Sequence, residues 1–329
     1  MRAIQTLAAA GMALLACAAD KPAPAAIRAQ AVGAGVWLLP GGFPPKREPD
    51  GNTVIFAALK GLIVLDTGRH PWHTQAIIDF ARARGQPVAA IVNSHWHLDH
   101  TTGNAALKRA YPAARVYASR AVESALKGFL LGSAADSRAY LQSQKVDPET
   151  AEDLRGDIAA IADPAALIPD VPIERSQRLS VAGRRLELHL ARNAATAGDV
   201  WIYDPATRVA AVGDLITLPS ALLDTACPEG WRKALAEIWA TPFLTAIPGH
   251  GPALTRARFA SYRAAFDDLI DCAKGAPTPD ACAEAWVSKV RPLLEPGELA
   301  SRRASAMTAD YVGMLRAHGG RSAFCEEPG

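Results

Sequence analysis

A short apolar run passes directly into a histidine-rich loop at residues 88–100. Val88–Val92 is apolar throughout, which predicts a buried strand that ends at Asn93. The loop reads His-Trp-His-Leu-Asp-His at residues 95–100, and it holds three of the eight histidines in the 329-residue chain. The residues after it predict the start of a helix. Side chains that bind divalent metals therefore lie where a strand passes into a helix, which is where open α/β folds place their sites.

Further potential metal ligands follow other predicted strands. Asp66, Asp214 and His250 each come at the end of a short apolar run. Strand ends on one edge of a sheet converge in space, so these residues can join the histidine loop in a single site. Imidazole nitrogen and carboxylate oxygen are ligands that zinc takes at about 2.0–2.2 Å, and a catalytic zinc keeps one position open for water. The pattern predicts a zinc centre.

The order of the predicted elements indicates an α/β fold. Each half of the chain begins with strands and continues with strands and helices in alternation, which a two-sheet core with helices outside accounts for. Residues 119–170 lack strand signals and predict a helical insertion, and residues 255–329 predict a C-terminal helical extension. No linker divides residues 33–329, so we expect one domain.

Composition narrows the class of partner. Half of the residues are hydrophobic and 21% are charged, so the chain can bury a sizeable core. The formal net charge is +2, and no basic tract is interleaved with aromatic residues. We therefore expect a small-molecule substrate and no nucleic acid.

The N-terminus predicts a signal peptide over residues 1–17. A positive Arg2 precedes an apolar run that is too short to span a bilayer. Leu-Leu-Ala-Cys at residues 14–17 resembles the bacterial lipoprotein processing site, which implies a lipid on Cys17. Because Ala18 follows it and not aspartate, the outer membrane of a Gram-negative cell envelope is expected.

Cleavage slightly further along the chain is the alternative, and it gives a periplasmic protein whose contact with the membrane is lost. In either case residues 18–32, which are rich in alanine and proline, are expected to form a tether. A membrane is thus expected as a partner only through the possible lipid anchor.

Four cysteines remain after the leader, an even number in an exported chain. Cys272 and Cys282 lie at the end of one predicted helix and the start of the next, so a disulfide can close that hairpin. Cys227 and Cys325 would then join the C-terminal tail to the body. Three pairings are possible, and no Cys-x-x-Cys spacing suggests a zinc site.

The ordered motifs resemble the metallo-β-lactamase superfamily over roughly residues 33–258. Asp-Thr-Gly precedes the histidine loop, and Gly-Asp-Leu and Pro-Gly-His-Gly follow it. The resemblance implies a four-layer αβ/βα sandwich with one or two zinc ions in the groove between the sheets. By motif it implies these roles: His95 and His97 on the first metal, Asp99, His100 and His250 on the second, Asp214 bridging the two, and Asp66 ordering the histidine loop.

One position departs from this pattern. Where the family usually has a third histidine for the first metal, this chain has Ala195, whose methyl group cannot coordinate. The first metal could persist on His95, His97 and Asp214, a set that also suits iron. Alternatively, only the second site fills, or both are too weak to hold a metal. His70 or His73 could replace the missing ligand.

The function expected from these residues is that of an exported zinc-dependent hydrolase, with one fully formed metal site. A metal-bound hydroxide would attack a lactam, lactone, ester or thioester carbonyl. Asp99 and Asp214 are the expected catalytic residues, since they can orient the nucleophile and Asp99 can pass a proton to the leaving group. The helical insertion and residues 218–229 would form the walls of the groove. The alternative is a catalytically weak or inactive binding protein of the envelope.

Overall fold

A computed structural model describes residues 27–143 and 145–325; the expected signal peptide, Cys17 and most of the expected tether lie outside these ranges. The first half of the chain forms the following elements: β1 (Gln30–Gly33), β2 (Val36–Leu39), β3 (Thr53–Ala58), β4 (Gly61–Leu65), α1 (Pro71–Ala83), β5 (Val88–Val92), α2 (Leu98–Thr101), α3 (Asn104–Ala110), β6 (Arg115–Ala118), α4 (Ala121–Lys127), α5 (Phe129–Ser143), α6 (Pro148–Ala162) and β7 (Val171–Pro172). The second half forms these: β8 (Gln177–Val181), β9 (Arg184–Arg192), β10 (Gly198–Asp204), β11 (Val209–Thr217), α7 (Pro228–Ala240), β12 (Thr245–His250), β13 (Leu254–Thr255), α8 (Arg256–Lys274), α9 (Pro279–Val290) and α10 (Glu298–Ala317).

The strands form two sheets that correspond to the two halves of the chain. The first sheet has seven strands in the order β1 to β7, and the second has six in the order β13-β12-β11-β10-β9-β8. Strands β4 to β7 are parallel, as are β11 and β12, and the remaining pairs are antiparallel. The parallel strands carry the histidine loop and the later ligand motifs, so their carboxyl ends place these motifs at one edge.

Alternation along the strands produces the layers. In β3, Val54 and Phe56 face the second sheet, whereas Ile55 faces α1 and α3. In β10, Val200 and Ile202 face the first sheet, and Trp201 faces α7 and α8 on the outside. A side-chain period of two separates an inner core from two outer cores. The expected four-layer αβ/βα sandwich is confirmed.

The insertion packs on the histidine loop. Trp96 and Leu98 of that loop form an apolar cluster with Val122, Ala125 and Leu130 of α4 and α5. Ion pairs of α6 hold it against the loops that precede β3 and α1: Lys46–Asp147, Arg47–Asp153 and Arg69–Asp157. The insertion is thus fixed on two sides of the site region.

Two disulfides hold the C-terminal part of the chain. Cys272 pairs with Cys282 between α8 and α9, and Cys227 pairs with Cys325 between the start of α7 and the tail. This is one of the three pairings that the sequence allows. Phe324, beside the second disulfide, lies with its ring centroid 5.1 Å from that of Phe129 in α5.

Three boundaries differ from the expected ones. The tether expected over residues 18–32 overlaps β1, because Gln30 and Ala31 pair with Leu38 and Trp37 in an antiparallel hairpin. The spacing of Ile77, Ile78 and Ala81 predicts a helix from Thr74, but helix α1 begins three residues earlier, at Pro71, since proline suits the first position of a helix. The histidine loop itself contains a helical turn, α2, that its polar sequence did not indicate. In the described ranges, no helix has the length and apolar character needed to cross a bilayer.

A buried hydrogen bond joins α7 to β11, and its removal should measurably lower the stability of the protein. The fully buried Trp231 donates from Nε1 to the Leu215 carbonyl at 2.9 Å, next to Asp214. Trp231→Phe removes this donor and leaves a buried carbonyl unpaired, so the free energy of unfolding should fall by about 1–3 kcal/mol more than for a tryptophan without such a bond. Urea unfolding measures the difference.

Trp201→Phe is the matched control, because Trp201 is equally buried and its Nε1 has no hydrogen-bond partner in the described structure. Equal losses for the two variants would show that the bond to Leu215 contributes nothing.

Candidate metal centre

Strands β5, β11 and β12 deliver five side chains to one buried cluster. His95, Asp99 and His100 follow β5, Asp214 lies in β11, and His250 ends β12. Each is at most 5% exposed. The two sheets thus bring together residues that lie up to 155 positions apart in the chain, from 95 to 250.

The imidazole and carboxylate atoms of these residues converge. His100 Nε2 lies 3.2 Å from Asp214 Oδ1 and 3.4 Å from Asp99 Oδ2. His250 Nε2 lies 3.0 Å from Asp99 Oδ2 and 3.7 Å from Asp214 Oδ1, and His95 Nε2 lies 3.5 Å from Asp214 Oδ2. Two groups of three therefore have the geometry to hold a metal: His95–His100–Asp214 and Asp99–His100–His250. His100 belongs to both.

Asp66 fixes the orientation of two of the histidines. Its carboxylate accepts hydrogen bonds from the Ser94 amide at 2.7 Å, the Ser94 hydroxyl at 2.7 Å and His100 Nδ1 at 2.9 Å. Because the single hydroxyl proton of Ser94 goes to Asp66, His95 Nδ1 must donate to Ser94 Oγ, 2.9 Å away. Both histidines then direct Nε2 into the cluster, where it carries the lone pair whenever the imidazole is neutral, and this is the arrangement that metal-binding histidines adopt.

The backbone at Asp66 is held in a strained conformation. Its φ is +61°, in the left-handed region that few residues other than glycine adopt. The turn lets the side chain reach back to Ser94 and His100. The resemblance gave Asp66 this ordering role, and its hydrogen bonds are consistent with it.

His97 lies beside the cluster, with its ring centroid 4.5 Å from that of His95. Its Nε2 lies 3.2 Å from Thr225 Oγ1, and the Thr225 hydroxyl donates its proton to the Ala195 carbonyl at 2.9 Å. Thr225 can therefore only accept from His97, so that Nε2 carries a proton and the lone pair of this imidazole lies on Nδ1. His97 belongs to neither group of three, and the role that the resemblance implied for it stays a prediction.

The two histidines that could have replaced the missing ligand lie outside the cluster. His70 precedes α1 and contacts two carboxylates, Asp50 at 2.7 Å and Asp153 at 3.2 Å. His73 is buried within α1, with Nε2 2.8 Å from Thr53 Oγ1. Neither replaces the ligand that Ala195 lacks, and both have partners of their own.

The charges of the cluster favour a cation. Burial lowers the pKa of His95 well below its ordinary value. Burial also opposes charge on His100, but Asp214, Asp99 and Asp66 outweigh it and raise the pKa of His100 well above its ordinary value. In the described structure no lysine or arginine forms an ion pair with these three carboxylates. Positive charge among them must come from a proton or from a metal ion.

The donor atoms fit a divalent metal. His95 Nε2 and both oxygens of Asp214 are buried and have no hydrogen-bond partner in the described structure. Such atoms are costly to bury unless something else binds them. A set of imidazole nitrogens and carboxylate oxygens is the set that zinc takes, and it also suits iron.

Two glycines allow the backbone to approach the cluster closely. A Cβ on Gly249 would lie 1.8 Å from Asp214 Oδ1, and one on Gly51 would lie 2.3 Å from the ring of His100. The Gly51 amide also donates to the Asp99 carbonyl at 2.9 Å. Glycine at these positions is therefore a requirement of the site, and Gly249 belongs to the Pro-Gly-His-Gly motif.

The C-terminal helix α10 forms part of the site mouth, which the sequence did not indicate. Burial raises the pKa of Tyr311 above its ordinary value, and the carboxylates of Asp224, Asp99 and Asp214 raise it further, so this residue of α10 lies within their field. Arg303 of the same helix borders a cavity beside His250. The expected wall residues Phe129 and Thr225 lie on the side of His97.

Comparison with known proteins gives relatives of two kinds. An (R)-specific secondary-alkylsulfatase from a Pseudomonas species is 28% identical over 206 residues, which cover 57% of this chain and 30% of the sulfatase. The structure of a sec-alkylsulfatase from Pseudomonas has a TM-score of 0.56 at 19% identity, covering 89% of this chain and 50% of that one. This chain thus spans half or less of the length of either sulfatase.

A metallo-beta-lactamase from Pontibacter korlensis shares the fold, with a TM-score of 0.53 at 18% identity over 74% of this chain and 99% of that one. The family model of the metallo-beta-lactamase superfamily matches residues 48–268, a span that includes the five clustered residues and Asp66. Fold, motifs and family model agree, and the chain belongs to the metallo-beta-lactamase superfamily.

Proposed function

We propose that this protein is a metal-dependent hydrolase with one complete metal centre. The observation that carries the proposal is the buried convergence of His95, Asp99, His100, Asp214 and His250, whose carboxylates form no ion pair with a lysine or arginine of the described structure. Members of the superfamily typically bind zinc, and zinc is the metal we propose. Iron is the alternative for the same donors.

A single metal centre follows from the ligands. The two groups of three share His100, and its Nε2 has one lone pair to give. Ala195 supplies no ligand, and the Nε2 of His97 is protonated toward Thr225. The first metal therefore lacks the third histidine of the family pattern and can take only Nδ1 of His97, whereas Asp99, His100, His250 and Asp214 remain for the second.

The residues of the chain have separate parts in hydrolysis. A divalent cation bound there supplies the Lewis acidity that polarises a substrate oxygen and activates water. Asp214, with both oxygens free of hydrogen bonds, accepts one from the attacking water and orients it. Asp99 takes up the proton and returns it to the leaving group, as a general base and then a general acid.

Two substrate classes are in accord with this chemistry. The first is a small carbonyl compound, such as a lactam, lactone, ester or thioester. The second is a sulfate ester, which the similarity to an (R)-specific secondary-alkylsulfatase favours. Both require attack by water and departure of an oxygen, nitrogen or sulfur leaving group.

We also propose that the protein is exported to the cell envelope, as an outer-membrane lipoprotein or a periplasmic protein. The leader pattern at residues 1–17 supports export. The two disulfides also support it, since disulfides persist in oxidising compartments.

Metal content and hydrolysis test the proposed function together. The purified protein without its leader should hold close to a single metal ion per chain by elemental analysis. It should hydrolyse at least one of nitrocefin, a lactone, a thioester and a secondary alkyl sulfate. Removing the metal with a chelator should abolish hydrolysis, and zinc should restore it. A metal-free protein that is silent on all four substrates would instead be a binding protein.

Two histidine variants, one inside the cluster and one outside it, locate the metal. His250→Ala should weaken metal binding by about 10–100-fold or more, because it removes a ligand from the complete centre. His318→Ala is the control, since His318 is exposed and contacts the Met314 carbonyl far from the cluster. If both variants retain the metal equally, the centre lies elsewhere.

Restoring the missing ligand should allow the first metal, the one on the side of His95 and His97, to bind as well. In Ala195→His combined with Thr225→Ala, a new imidazole is supplied and His97 is released from its hydrogen bond. The double variant should bind more metal per chain than the wild type, measured by the same elemental analysis. Thr225→Ala alone should not, because Ala195 still provides no donor. No gain in the double variant would mean that Ala195 lies outside the metal site.

A further inference from the structure

An apolar cavity of about 250 Å³ lies beside His250. One side of the cavity is formed by the loop after β2 and the turn after β11. The other side is formed by residues of the C-terminal helical region. The apolar residues that line it include Leu38, Phe43, Leu218, Leu293, Leu294 and Ala300. Because His250 belongs both to the lining and to the metal cluster, whatever fills the cavity is adjacent to the reacting centre.

One cation stands at this cavity without an acidic partner. Arg303 lines it and is half-buried, and no carboxylate of the described residues forms an ion pair with it. It donates to the Phe43 carbonyl at 3.4 Å. Glu295 also lines the cavity, but it is exposed to solvent and is not paired with Arg303. A half-buried, unpaired guanidinium attracts an anion.

Phe43 brings the cation and the cluster to the same end of the cavity. The guanidinium carbon of Arg303 is 5.2 Å from the centroid of the Phe43 ring, and the ring of His250 is 5.3 Å from it on centroids. A substrate whose acid group is bound by Arg303 would therefore have its cleaved bond, at the cluster, about one aromatic ring away. The rest of the cavity is left for an apolar chain.

We infer that the cavity binds the single alkyl or acyl chain of an anionic amphiphile, with its acid group on Arg303. The inference rests on the proposed hydrolase centre, and it assigns the C-terminal extension the part of selecting the substrate. Arg303 is a specificity residue in this scheme. The apolar lining provides affinity, because each buried methylene adds to it.

Binding of simple ligands tests the cavity without any catalysis. In calorimetric titrations of the full protein, affinity should rise from acetate to octanoate by about fourfold for each methylene until the cavity is full. Octan-1-ol, which has the same chain without the charge, should bind about tenfold or more weakly than octanoate.

Neighbouring residues of α10 provide matched variants. Arg303→Gln should reduce octanoate binding to the level of octan-1-ol, whereas Arg302→Gln should not, since Arg302 pairs with Glu298 on the exposed side. Ala300→Trp should fill the cavity and remove the dependence on chain length, whereas Leu299→Trp at a 73% exposed position should preserve it.

The outcomes separate this inference from the proposed function. If affinity rises with chain length and octanoate binds better than octan-1-ol, but the protein hydrolyses nothing, the cavity assignment stands and the proposed hydrolase function is wrong. A protein that hydrolyses short esters but shows no gain with chain length, or no difference between the Arg303 and Arg302 variants, overturns the cavity assignment alone.

Discussion

The carboxylate of Asp66 is the contact on which the geometry of the site depends. It binds one amide, one hydroxyl and one imidazole of the histidine loop, and so determines which nitrogens of His95 and His100 carry protons. A loop with three adjacent histidines has many possible arrangements of protons. One buried acceptor behind the loop selects an arrangement that leaves lone pairs directed at the cluster. The strained turn at Asp66 is the cost of that selection.

Much of the fold was predictable from the sequence, because two patterns along the chain reflect it directly. Residues that alternate along β3 and β10 face different cores, and apolar strands followed by polar loops mark the edge where the sites lie. The loop at residues 95–100 was recognisable because it holds three of the eight histidines in the chain. The end of the tether was not predictable, since β1 is held by pairing to β2 and not by any hydrophobic pattern of its own.

The remaining parts of the site depend on contacts across long stretches of chain. His97 and Thr225 are 128 residues apart, and their hydrogen bond decides which nitrogen of this histidine carries the proton. The absence of a histidine at Ala195 was visible in the sequence, but the carbonyl of the same residue proves to hold Thr225 in place. The residue that lacks the ligand therefore also sets the proton position of His97, through its backbone carbonyl and Thr225. The position of α10 beside the cluster is likewise set by tertiary packing alone.

The disulfide between Cys227 and Cys325 has a consequence for the order of events in making the protein. Cys325 holds Phe324 against Phe129, whose ring lies 5.1 Å from that of Trp96 in the histidine loop. One wall of the site is therefore contributed by a residue that follows every described helix and strand in the chain. That wall cannot form while the chain is still emerging, and its disulfide persists only where thiols are not kept reduced. Under the proposed export, the site would therefore be completed after the chain reaches an oxidising compartment.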